Sequence, residues 1–73
     1  MPLTIAPLDQ DLKIVALKGD AKVVKRLQDL GLVKDAIITT SGSQGGALVV
    51  HLGSSRLAID KEVASMIRVA VLG

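Results

Sequence analysis

The chain has 73 residues, 49% of them hydrophobic, with no Phe, Tyr, Trp or Cys and a formal net charge of +2. A domain of this size buries only roughly 60% of its unfolded surface, and without Cys it has no disulfide, no thiolate metal site and no thiol nucleophile to draw on. The slight charge and the lack of rings on which bases stack argue against nucleic-acid binding, and no apolar run reaches the roughly 18 residues of a membrane span.

Residues 2–8 place two prolines among apolar and small side chains, which suits a short edge strand or an extended arm better than a helix. The run from Leu12 to Leu17 reads as a strand closed by a bend or bulge at Lys18-Gly19. Asp20 stands where a helix N-cap belongs, since its carboxylate can accept the free amide hydrogens of the first turn. The predicted helix covers about 21–30, with Val23, Leu27 and Leu30 on one face beside Val24, and Lys22, Lys25, Arg26 and Asp29 on the other. Gly31 ends it in the left-handed conformation and Leu32 returns to the core.

β-Branched residues predict a strand over 36–40, and 41–46 reads as a turn rich in Ser and Gly. The returning strand, 47–52, has Leu48, Val50 and Leu52 on one face and Val49 and His51 on the other. A tight turn at Gly53-Ser54-Ser55 leads to a short strand over 56–59, and Asp60 caps a helical turn over about 60–65. The last strand, 66–71, carries Ile67, Val69 and Val71 on its apolar face. Several short strands with one early helix imply a mainly β fold, a small and strongly bent antiparallel sheet closing into an SH3-like barrel, with 1–73 as a single domain.

Several of these segments resemble the FeoA family, the small cytosolic component of ferrous-iron transport systems. They are Ala6-Pro7-Leu8, the run from Ile14 to Gly19, Arg26-Leu27-Gln28-Asp29-Leu30-Gly31-Leu32, the stretch from Gly53 to Ile59, and the close Ala64 to Val69. Arg-Leu-x-x-Leu-Gly-Leu is the most specific of them. The resemblance implies an accessory protein that binds and regulates a FeoB-type membrane ferrous-iron transporter carrying a GTPase domain. It also implies likeness to the C-terminal module of metal-dependent repressors, whose winged-helix domain this chain has no room for, so a free-standing FeoA is expected. Lys34-Asp35 stands where the family commonly has Pro-Gly, and Asp9 where it often has Gly; Asp tolerates the left-handed backbone better than most residues, so both turns are expected to survive. The start Met1-Pro2-Leu3 lacks the layout of a signal peptide, and a cytoplasmic location without membrane insertion is expected, with recruitment to the membrane through the transporter.

No catalytic residue is assigned. His51 is the sole imidazole and a weak metal candidate, because metal sites draw on several converging ligands and no carboxylate spacing here matches a metal loop. No cofactor is required on this reading, and any divalent transition metal would bind weakly. The glycines of 42–46 lack the Gly-Lys-Ser/Thr ending and following helix of a phosphate loop. Ser54 and Ser55 have no base near them in sequence. Lys18, Lys22, Lys25 and Arg26 form the densest charge group and are the candidate partner-binding residues, with Leu3, Ile5 and Leu8 or the last strand as an apolar rim. The alternatives are a metal-sensing module built on His51 and a general SH3-like binder, the latter disfavoured because peptide-binding SH3 grooves are lined by aromatics. Short edge strands leave homo-oligomers open.

Overall fold

Aliphatic and β-branched alternation sets five strands in the computed structural model, which describes residues 1–72: β1 (Leu12–Leu17), β2 (Ile37–Gln44), β3 (Ala47–Leu52), β4 (Ser55–Asp60) and β5 (Ile67–Val71). Helix α1 (Ala21–Asp29) follows β1, α2 (Lys61–Ala64) follows β4, and a short 3-10 turn spans Leu3–Ile5. All strand pairs are antiparallel, in the order β4-β3-β2-β1-β5. The expected mainly β, barrel-like architecture is what the chain adopts.

Two register shifts bend the sheet. One lies between Ile14 and Ala16 of β1 against β5, the other between Thr40 and Gly42 of β2 against β3. An extra residue on one strand increases local twist, which curls a sheet of short strands around its own inner face. Fully buried Leu12, Ile14, Ile38, Val50, Ile67 and Val69 fill that inner face, and Leu27 and Leu32 reach it from α1 and the turn after it.

Both ends of α1 are fixed. Asp20 caps the N-terminus, its Oδ1 accepting the Val23 N–H at 2.9 Å. At the C-terminus the Gly31 N–H donates to Gln28 O and the Leu32 N–H to Leu27 O, each at 2.9 Å, which satisfies carbonyls the helix leaves open. Gly31 takes φ +92°, and a Cβ there would lie 2.8 Å from Leu52 Cδ2. Asp9 and Asp35 adopt φ of 57° and 74°, so each keeps the left-handed turn expected of it.

Several expectations need correction. Residues 2–8 are not a strand: Leu3 is the first residue of the 3-10 turn and is 1% exposed, so it belongs to the core and not to a surface rim. Only the first residues of the arm join the sheet, with the Met1 amino group donating to Val69 O at 2.9 Å and Pro2 bridged to Arg68. Residues 41–44, read as turn, continue β2, because β3 offers them a ladder that outweighs their Ser and Gly content. The sharp turn shrinks to Gly45-Gly46. Lys18-Gly19 forms the expected bend, but the register shift falls earlier, at Val15. Val49, placed on the outer face, is nonetheless buried, beside Gln44, Arg56 and Leu57.

Leu27 is the one buried residue of α1. Leu27→Ala is therefore expected to destabilise the fold by about 2–5 kcal/mol, measured by urea unfolding.

Candidate functional site

The amphipathic sequence of α1 does not press its whole apolar face onto the barrel. With Leu27 buried and Val23 packed against the core only in part, the helix leaves an open groove between itself and β4, about 370 Å³ in volume. Val23, Arg26, Leu27 and Leu30 line one side, Ala58, Ile59 and Asp60 of β4 the other, and Val63 of α2 the end. Leu30 was expected in the core, but it is 42% exposed because it forms part of this wall.

The basic residues lie around the same helix. Lys22, Lys25 and Arg26 are exposed, and spacings of three and four set Lys22 beside the other two. Lys25 pairs with Asp29 at 3.6 Å, an exposed i,i+4 contact worth little by itself. Lys22 and Arg26 have no such partner among the described residues. Arg26 was expected on the far side of the helix, yet it lines the groove. Lys18 is exposed just ahead of the N-cap, its backbone N–H donating to Met66 O at 2.7 Å.

His51 sits on β3, half-buried, opposite Thr39 of β2 and Arg56 of β4. Its Nε2 lies 3.0 Å from Ser41 Oγ, a partner the sequence does not disclose because the Ser and Gly content of 41–46 predicts a turn there. No carboxylate hydrogen-bonds to the ring among the described residues, and no group of three or more His, Cys, Asp or Glu is placed to hold a metal ion. An imidazole between a serine and an arginine strand neighbour has neither the orienting acid of a nucleophile-base pair nor the converging anions of a metal centre. Ser54 and Ser55 are exposed beside the β3–β4 turn. The groove residues contributed by β4 and α2 escaped sequence reasoning because they are distant in the chain from α1. Their one local signal was the exposure implied by a short edge strand.

The FeoA domain family matches residues 1–71. This chain belongs to the FeoA family. Its fold is shared with an iron uptake regulatory protein, FeoA, at 25% identity and a TM-score of 0.87, covering 99% of this chain and 97% of the other. It is also shared with the FeoA of Stenotrophomonas maltophilia in complex with zinc, called an SH3 domain protein, at 24% identity and a TM-score of 0.82, over 96% of this chain and 89% of that one. The regulator ScaR with bound cadmium contains the same fold at 15% identity and a TM-score of 0.88, matching 99% of this chain but 35% of its own. No curated protein sequence matches. Among the described residues of this FeoA-family chain, no helix is long and apolar enough to cross a membrane.

Because Lys22 and Arg26 are exposed and outside any ion pair among the described residues, Lys22→Glu and Arg26→Glu are each expected to shift stability by no more than about 0.5 kcal/mol, as read by urea unfolding.

Proposed function

We propose that this chain is a non-catalytic cytoplasmic accessory of ferrous-iron transport that docks on a FeoB-type membrane transporter and regulates its GTPase domain. The observation that carries the reading is the groove itself, a largely apolar trough open to solvent with Arg26 and Asp60 on opposite walls and Lys22 on the same helix as Arg26. Monomeric domains seldom leave aliphatic side chains such as Leu30 in a concave patch unless something covers it. Cations around such a patch speed encounter with an acidic surface and fix orientation, while the apolar centre supplies the affinity. Membership of the FeoA family supports ferrous-iron transport as the setting.

Lys18 and Lys25 extend the positive surface, with Lys25 partly neutralised by Asp29. Regulation on this reading is a matter of binding the transporter's GTPase domain in one of its conformations, since a ligand shifts an equilibrium only by its differential affinity for the two states. The doubly reversed variant Lys22→Glu/Arg26→Glu is expected to weaken recovery of the solubilised transporter at least tenfold. Wild-type recovery should itself fall as salt shortens the Debye length, about 10 Å at 0.1 M. Unchanged binding by a folded double variant would refute the helix-face docking.

The zinc complex of the Stenotrophomonas maltophilia relative favours a second reading, a metal-binding module. In this chain it would rest on His51, with Arg56 as a repelling strand neighbour. Calorimetry with ferrous iron is expected to give a flat trace. Saturable heat abolished by His51→Ala would establish the metal-binding reading instead.

A further inference from the structure

The two edges of the sheet differ. Along β5 the edge is taken up by the start of the chain itself, since the Met1 amino group donates to Val69 O, the Val69 N–H donates to Met1 O, and Pro2 is bridged to Arg68. Strand β4, at the other edge, is paired on one side only, with β3. Gly53 and Ser54 form the two-residue turn that joins Leu52 to Ser55. In such a hairpin the closing pair is hydrogen-bonded, and bonded pairs then alternate with unbonded ones. Leu52 with Ser55, Val50 with Leu57, and Leu48 with Ile59 are therefore the bonded pairs, and the Lys61 N–H, 3.4 Å from Gly46 O, keeps the same phase. That phase points the N–H and C=O of Arg56 and Ala58, and the N–H of Asp60, away from β3. None of these groups has a backbone partner beyond the strand ladder among the described residues.

Sheet edges are commonly guarded by a proline, a bulge or charges that repel another strand. β4 contains no proline, and its pairing with β3 runs without a register shift. Its exposed face carries Arg56 and Asp60, of opposite sign, on either side of exposed Ala58. Four residues along an extended strand set these charges roughly 13 Å apart, too far to pair with each other. Neither is in an ion pair among the described residues.

We propose that β4 is a self-pairing edge, joined antiparallel to β4 of a second copy of this chain about a twofold axis through Ala58. A twofold contact sets residue i against j and j against i. With Ala58 opposite its own copy, Arg56 lies opposite Asp60 of the second copy and Asp60 opposite Arg56 of the second copy. On the other face the same register sets Leu57 against Ile59, apolar against apolar. Ala58 exchanges both main-chain bonds with its copy, and the Asp60 N–H donates to the second copy's Arg56 O. The Asp60 carboxylate caps α2 through Oδ1, 3.2 Å from the Glu62 nitrogen, which leaves Oδ2 for the guanidinium.

Charge selects this register and this occupant. An axis through Arg56 sets two cations face to face and one through Asp60 two anions, each destabilising, while the intermediate registers oppose a charge with Ala58. A wholly acidic or wholly basic segment meets one like charge on β4, whereas a second copy meets none. The surface covered is that of one short strand, so pairing is weak and grows with concentration. The inference goes beyond the docking reading and stands apart from it, although Ala58 and Asp60 also line the groove, so that a paired chain and a docked transporter draw on the same residues.

The test uses the full chain alone. In a mixture of isotope-labelled and unlabelled chain, filtered NMR is expected to show a cross-peak between Leu57 Hα of one copy and Ile59 Hα of the other, since an unbonded antiparallel pair brings its Cα atoms to about 4.5 Å. Amide exchange at Ala58 and Asp60 is expected to slow at least about tenfold from low to high protein concentration, the scale of one added hydrogen bond. Arg56→Glu, outside the groove, sets anion against anion and is expected to abolish both signals. Asp60→Arg sets cation against cation and does the same, whereas the two variants mixed together are expected to pair, because every charge then faces its opposite. A chain that stays monomeric at its highest soluble concentration overturns the proposal, as does pairing that survives Arg56→Glu or gives its cross-peaks elsewhere. Should Asp60→Arg lose its fold with the α2 cap, the wild-type cross-peak and Arg56→Glu decide.

Discussion

Helix α1 is fixed at its two ends and only partly sunk into the barrel between them, and the rest of the molecule's surface chemistry depends on that constraint. Gly19, just before the Asp20 cap, lies where an added Cβ would come within 2.8 Å of Met66 Sδ, and Gly31, just after the last turn, is equally close to Leu52 Cδ2. A side chain at either position would displace the end of Met66 or Leu52, and the φ of +111° at Gly19 and +92° at Gly31 is a backbone conformation that favours glycine. Between the ends Leu27 is buried and Val23 packs against the core only in part, so Val23 and Leu30 remain open enough to line the groove.

A core made without aromatic rings explains why the clamp has this form. Leu, Ile, Val and Ala side chains are short, so adjoining elements must approach closely for dispersion contacts to add up. The barrel achieves this through its register shifts in β1 and β2, which curl the sheet until Leu12, Ile14, Ile38, Val50, Ile67 and Val69 are sealed from water. A nine-residue helix cannot be drawn in along its whole length by the same means without filling the space beside β4. The groove is thus the complement of a tightly closed aliphatic barrel, and the bare edge of β4 is left facing it.

Much of this was legible in the sequence where local chemistry decides. The strands at Leu12–Leu17 and Ala47–Leu52, the Asp20 cap and the glycine stop after α1 all follow from alternation, capping and left-handed glycine. Asp9 and Asp35 carry the left-handed turns expected of them. Sequence reasoning failed where a distant partner overrides local preference. Ser41 to Gln44 become strand because β3 lies alongside, and Leu3 turns inward although its neighbours read as an exposed arm. Of the candidate binding residues, Lys22 and Lys25 are exposed on the helix while Arg26 stands on the groove wall instead of the far face, and the rest of that groove is built from β4 and α2 and has no signature in any one stretch of chain.

The central claim is that α1 and the edge of β4 form one docking surface. Chemical-shift mapping of the nitrogen-15-labelled chain, titrated with the solubilised FeoB-type transporter, tests it most directly. The account predicts that the largest shifts and broadening fall together on Val23, Arg26, Leu30, Ala58 and Val63. Shifts concentrated instead on the other exposed aliphatic residues, Ile5, Leu8 and Leu72, with the groove amides unmoved, would contradict it.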